Sequence, residues 1–176
     1  MLGEVCGNEC YEEDGIIYFW VKRDGPSGQD WITRLNEGGV RTDPLASQVL
    51  LSSNFNPKSG IWTKVAIVRG DHFSDEDRVT GKIFADMDRR GWSKADVELA
   101  CLVREKVTDM EMRRLGLVWI PVMHDPVEEP THGTVLLTLY AGCDSSFLGA
   151  YEGRLDYKWG GKYGFACVVS EVSSQP

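Results

Sequence analysis

An α+β fold is what this 176-residue chain predicts, and three observations predict it. Strand-type runs lie at both ends. A string of helix start and stop signals fills the middle. No regular strand–helix alternation, of the kind that builds a parallel sheet, joins the two. The length fits one domain over 1–176, large enough to bury a core without disulfide or metal staples. With 42% hydrophobic and 26% charged residues, the composition excludes disorder of the whole chain.

The elements follow in order. Residues 16–22, Ile-Ile-Tyr-Phe-Trp-Val-Lys, form a β-rich run between Asp14-Gly15 and Asp24-Gly25-Pro26. A short helix is expected over 30–36, stopped by Gly38-Gly39. Asp43 followed by Pro44 reads as an N-cap and a proline at the first helical position, opening a helix through Leu51. Residues 54–60 are turn-rich, and 62–68 alternate as a strand. Ser74 is predicted to open the next helix, with Asp75, Glu76 and Asp77 in its first turn, where acids suit the helix dipole. Val79, Ile83, Phe84 and Met87 keep helical spacing, and Gly91 closes it. Ser93 is predicted to start another helix, with Val97, Ala100, Cys101 and Val103 or Arg104 on one stripe. Thr108-Asp109-Met110-Glu111 is a capping-box pattern for a short helix ending at Gly116. Strand chemistry returns at 117–123, where Pro121 implies an edge or bulge, and again at 134–140 and 164–170. The softest point is 125–133, where Pro126 and Pro130 break the pattern.

Charge narrows the function classes. The net charge is −8 and the pI about 4.9, a field that repels phosphate backbones and argues against nucleic acid as a partner. The pairs Arg89-Arg90 and Arg113-Arg114 read as helix ends. No run approaches the roughly 20 apolar residues of a membrane span. The first ten residues carry Glu4 and Glu9 and no basic or apolar leader region, so the expectation is a chain cytoplasmic at synthesis. Five cysteines, an odd count, point to a reducing compartment. Cys6 and Cys10 are a C-x3-C pair without the second pair that zinc needs, so no metal or other cofactor is predicted. Cys101 and Cys167 lie among apolar neighbours and read as buried small hydrophobes.

The strongest enzyme-like cluster is His124-Asp125, Glu128-Glu129 and His132. Such groups bind zinc or share acid–base work, and they carry an alternative reading as a metal-assisted hydrolase. Its spacing matches no zinc motif, and a solvated acidic loop after a strand is the favoured explanation. His72 beside Asp71, Asp75 and Asp77 lacks the glycine and terminal glutamate of a calcium loop. Nucleophile-elbow, P-loop and dinucleotide motifs are missing. A structural or viral assembly protein is the third reading; it predicts an oligomer and an exposed apolar patch.

Residues 139–165 differ in kind. Tyrosine, serine, glycine, aspartate and arginine dominate, the palette of an antibody paratope. The segment is expected to be long, irregular and placed between two strands, and such loops in compact domains are usually functional. Here Tyr140, Tyr151, Tyr157 and Tyr163 are candidate contact anchors. Asp144, Ser145, Ser146, Arg154 and Asp156 are candidates for polar specificity. Gly149, Gly153 and Gly160 are candidates for close backbone approach to a ligand.

Leu148, Ala150, Leu155, Lys158-Trp159, and Gly164-Phe165-Ala166 running into Val168-Val169-Ser170 give the last forty or so residues a further meaning. This stretch resembles the variable proteins diversified by retroelements, which display a C-type-lectin-like fold. In that family fixed apolar and tryptophan positions hold a scaffold, and scattered positions change by mutagenesis at adenines, typically in asparagine codons. Randomising the first two bases of such a codon yields Tyr, Cys, Asp, Ser, Gly, Arg, Leu or Phe, and never Trp, Lys, Glu, Gln or Met. Tyr140, Cys143, Asp144, Ser145, Tyr151, Arg154, Asp156, Tyr157 and Tyr163 are of the first kind, while Lys158, Trp159 and Lys162 are of the second. An unpaired Cys143 in a polar loop is natural at a randomised position. The resemblance implies short antiparallel strands, two or three central helices and an irregular C-terminal segment. It implies Trp159 and Phe165 packed beneath a binding surface, and a macromolecular ligand, foremost a protein, with no catalysis. Glu128-Glu129-Pro130 is only a fragment of a calcium-lectin motif, so calcium-dependent sugar binding is not implied.

Overall fold

The computed structural model describes residues 10–176. Among them are nine strands and five α-helices, an α+β architecture. Strands β1 (Tyr11–Glu13), β2 (Ile16–Asp24), β4 (Ser59–Arg69) and β9 (Gly164–Val172) make one antiparallel sheet in the order β1-β2-β4-β9. A second sheet runs β3-β8-β7-β5, from β3 (Val40–Thr42), β8 (Ser146–Glu152), β7 (Gly133–Ala141) and β5 (Trp119–Pro121), with β6 (Val127–Glu129) also on β7. The pairing of β3 with β8 is parallel, so the strands are not all antiparallel as expected. Nor are they all short, since β2, β7 and β9 have nine residues each and β4 has eleven.

Local capping sets the helix starts. Helix α1 (Gly28–Glu37) has a full capping box between Ser27 and Asp30. In α2 (Pro44–Leu50) the Asp43 carboxylate accepts the Ala46 N–H at 2.7 Å. Thr108 and Glu111 cap α5 (Asp109–Arg114) reciprocally, and Gly116 follows at φ 69°.

Two helix starts differ from expectation. Ser74 to Asp77 form a separate turn, with the Asp77 N–H donating to Ser74 Oγ, and α3 spans Thr80–Arg89. Arg78 turns inward, where its guanidinium donates to the Gly70 and Phe73 carbonyls. Val79 is extended and bridges Lys158. Ser93 likewise does not begin a helix. It bridges Val168, and α4 (Val97–Lys106) starts after Asp96, whose carboxylate caps Leu99.

The main core lies between the sheets and α1, α2, α4 and α5. It joins Phe19, Trp31, Val49, Ile67, Leu99, Met112, Leu137, Leu139 and Leu148. Helix α4 is enclosed along 97–104 rather than on one stripe. Its buried Glu98 pairs with the buried Arg23 at 2.8 Å, and Arg23 also reaches Asp96 and Thr63, tying α4 to β2 and β4. A second cluster packs Ile83, Phe84 and Met87 of α3 on Leu136, Trp159, Phe165 and Cys167. Cys101 and Cys167 are buried, as expected. No helix among the described residues is long and apolar enough to cross a membrane.

Candidate functional site

Segment 139–165 is not the structureless loop expected of it. Strand β8 occupies its middle, hydrogen-bonded between β7 and β3. What stays irregular is the 142–145 turn, closed by Gly142 N–H to the Ser145 carbonyl, and the approach to β9 at 153–163.

Strand register then lines up aromatic side chains. Tyr140 of β7 stands opposite Phe147 of β8 on one side and Trp119 of β5 on the other. Their rings stack nearly parallel, with centroids 4.8 Å apart at 5° for Tyr140–Phe147 and 4.9 Å at 17° for Trp119–Tyr140. Trp119 also stacks on Tyr163 at 5.9 Å and 10°. Tyr151, on the same face of β8 as Phe147, meets Trp119 edge-on at 4.9 Å. Tyr163 continues to Trp159, and Trp159 to Tyr157 at 4.8 Å. Tyr151 closes the circuit against Trp159 and Tyr157. Seven rings thus form one connected layer.

All four candidate tyrosines belong to this layer, and Tyr151 is 40% exposed. Trp159 is the buried member of the layer and rests against the buried Phe165, and its indole N–H donates to Thr80 Oγ1 at 2.9 Å. Three of the phenols, those of Tyr140, Tyr157 and Tyr163, are held in their protonated form. Burial, then the Asp43 carboxylate, raises the Tyr140 pKa. Burial, then Tyr151, raises that of Tyr163. Tyr157 is pushed up to about 12, first by the hydrogen bond its hydroxyl donates to the Tyr151 hydroxyl and then by burial. Such groups serve as hydrogen-bonding contacts at neutral pH, not as bases or nucleophiles.

The polar candidates surround this layer. Cys143 and Asp144 are exposed at the tip of the 142–145 turn, while Ser145 and Ser146 are half-buried, Ser146 pairing with Val40 of β3. Arg154 is exposed between Glu152 and Asp156, at 3.2 and 3.7 Å. Gly160 is exposed beside the Tyr163 ring.

The other two glycines serve the fold. At Gly149 a Cβ would lie 2.5 Å from Asp43 Oδ2 and 2.6 Å from Tyr140 Cε1. At Gly153 it would lie 2.8 Å from the Val135 backbone nitrogen. Both are buried, so the close approach they allow is that of the protein's own chain. Leu155, expected in the scaffold, is 60% exposed; its carbonyl accepts the Gly81 N–H.

Trp119 and Phe147 were not singled out from the sequence. The usable signal for Trp119 is its place two residues before Pro121, in a run whose proline implies an edge strand.

The His124–His132 group does not come together as a metal site. His124 is buried with both ring nitrogens engaged: Nε2 accepts the Leu137 N–H at 2.9 Å, and Nδ1 donates to the Asp125 carbonyl at 2.7 Å. Burial lowers its pKa, which fits the neutral form this bonding requires. His132 is exposed on the β6–β7 turn, bonded to Glu129. That carboxylate is held down to about 2 by hydrogen bonds from Thr131 and His132. Near His72, Asp75 pairs with Arg78 and Asp77 with Lys82. Among the described residues no three His, Cys, Asp or Glu side chains are grouped to hold a metal. Cys6 of the C-x3-C pair lies outside the described residues. Burial pushes the Cys101 and Cys167 thiols up, away from the reactive thiolate.

Comparison of the chain with known protein families, with curated proteins and with solved structures finds no match.

Proposed function

We propose that the chain is a ligand-binding display protein, a C-type-lectin-like scaffold whose C-terminal surface is diversified by a retroelement and meets a protein ligand. The observation that carries this reading is the layer of rings. Tyr140, Tyr151, Tyr157 and Tyr163, distant in sequence and compatible with randomised asparagine codons, share one partly exposed face over the fixed Trp159 and Phe165. An α+β frame with three central helices between strands from both ends is compatible with the scaffold.

The geometry of the layer favours protein over sugar or base. Phe147, Tyr140, Trp119 and Tyr163 lie face to face, so much of each ring face is covered by the next. Sugars and bases stack on free ring faces. Tyr151 is exposed and its hydroxyl meets that of Tyr157 at the surface, the apolar and hydrogen-bonding mixture that tyrosine-rich paratopes offer to protein surfaces.

The test is to sequence this gene from many individuals of one source population. Changes concentrated at 140–163 in asparagine-derived codons, with Trp159 and Phe165 constant, support the reading. A segment as constant as α3 to α5 overturns it. Once a ligand is in hand, Tyr151→Ala with Tyr157→Ala is expected to abolish binding while the protein stays folded.

A further inference from the structure

Trp119 stands outside segment 139–165, yet three of the four candidate tyrosines touch it. It stacks on Tyr140 and Tyr163 and receives the edge of Tyr151. Tyr140 and Tyr163 are joined through it, one from β7 and one from the approach to β9. Its own backbone is held from both sides. Trp119 pairs with Tyr140 in the β5–β7 ladder and bridges Tyr163, and the neighbouring Val118 N–H donates to the Lys162 carbonyl at 2.9 Å. Ile120 beside it is fully buried in the main core. The backbone that carries the indole is therefore held by the fold itself.

We propose that Trp119 is the positioning residue of the recognition surface: it holds Tyr140, Tyr151 and Tyr163 in one arrangement, so that little side-chain freedom is lost on binding. The proposal rests on the display reading above and deepens it. A surface whose residues change needs a constant partner for whatever ring occupies 140, 151 or 163. Trp159 meets 151 and 163 from within the segment, and Trp119, outside it, is the one of the two that also reaches 140; tryptophan is beyond the reach of a randomised asparagine codon. A flat, wide ring accepts stacked or edge-on neighbours of several shapes, so it orders different aromatic occupants without demanding one. Tyr157, which contacts Trp159 and Tyr151 and has no ring contact with Trp119, falls outside its control.

The direct test needs no ligand. Ring order is measured by NMR on protein carrying 13C-labelled tyrosine, in the wild type and in Trp119→Leu and Trp119→Phe. Leucine keeps apolar volume at the position and removes the ring; phenylalanine restores one. Tyr140, Tyr151 and Tyr163 are expected to lose shift dispersion and order in Trp119→Leu and to regain most of it in Trp119→Phe. Tyr18, stacked on Tyr11 in the other sheet, is the internal control and is expected not to change. Wild-type order at all three tyrosines in folded Trp119→Leu overturns the proposal, as does a loss that Trp119→Phe fails to recover.

A second arm reads binding. Libraries randomised at 140, 143–145, 151, 154, 156, 157 and 163 are displayed on the wild-type and Trp119→Leu backgrounds and selected against lysozyme. Clones on the wild-type background are expected to dissociate about tenfold more slowly, the effect of leaving even one side chain to be ordered on binding. Equal dissociation rates overturn the proposal. Failure to recover any binder on the wild-type background counts against the display reading, while the NMR comparison still decides the role of Trp119.

Discussion

Gly149→Ala tests whether this glycine serves the fold or a ligand. The new methyl group would sit 2.5 Å from Asp43 Oδ2 and 2.6 Å from Tyr140 Cε1, so one or both must move. Asp43 has little room to do so. Its Oδ1 accepts the Ala46 N–H that caps α2, its Oδ2 accepts the Ala150 N–H at 3.2 Å, and its own N–H donates to the Leu148 carbonyl. Tyr140 is held between Phe147 and Trp119. Overpacking a closed site costs about 1–3 kcal/mol, and weakening a carboxylate N-cap adds roughly 0.5–2 kcal/mol. The expected loss is therefore about 1.5–5 kcal/mol, or a fall in melting temperature of roughly 3–20 °C for a chain of this size. Urea denaturation followed by fluorescence measures it, and near-ultraviolet circular dichroism reports whether the Tyr140 stack is disturbed. A loss below about 0.5 kcal/mol, the scale of an ordinary surface change, with an unaltered aromatic spectrum, would refute the reasoning and return Gly149 to the ligand-contact candidates.

Two further outcomes are expected. Thr80→Val leaves the buried Trp159 indole N–H without its acceptor and is expected to cost about 1–3 kcal/mol, with Thr80→Ser close to wild type; equal stability of the valine variant in urea denaturation would contradict this. His124 makes stability depend on pH. Its folded pKa is lowered by burial, so the unfolded chain takes up the proton first. Its contribution is full above the unfolded value near 6.5 and is lost as the pH falls from there through the lowered folded pKa. Denaturation midpoints measured from about pH 7.5 down to about pH 5 are expected to fall in the wild type and to fall less steeply in His124→Gln; identical slopes would show that His124 is not the source.

Signals confined to a few residues were legible in the sequence. Asp43 before Pro44, and Thr108 with Glu111, cap helices through contacts within three residues, so the pattern can be read without knowing any distant partner. Ser74 and Asp77 carry the same chemistry, and their local hydrogen bond does form. What stops a helix there is distant: Arg78 is drawn to the Gly70 carbonyl, and Val79 pairs with Lys158 nearly eighty residues away. Ser93 is captured in the same way by Val168. Strand β8 is not legible in the sequence because Gly149 interrupts its alternation and Gly153 follows directly after it, and the two glycines answer to Asp43 and Val135, which only the folded chain brings near. The candidate site followed the same division. Composition identified its tyrosines, but the layer that joins them depends on β5 lying beside β7, a pairing invisible at the level of local pattern.

If the segment is diversified as proposed, that pairing bears on how its surface would stay ordered. The exposed positions at 143, 144, 154 and 156 sit on turns and hold few partners, so replacing them asks little of the fold. Tyr140, Tyr151, Tyr157 and Tyr163 are different, because each is in ring contact with at least two neighbours. Small residues at those sites would open gaps against Trp119 and Trp159, and gaps of that kind are costly only where the surroundings are rigid. Half-exposed positions can refill from solvent or from a ligand, so the cost there falls mainly on order rather than on folding. The structure thus divides the segment in two. On the proposed reading, substitutions at the turn positions would tune polar contacts independently, and substitutions at the ring positions would alter the surface together, because they share contacts with Trp119 and Trp159.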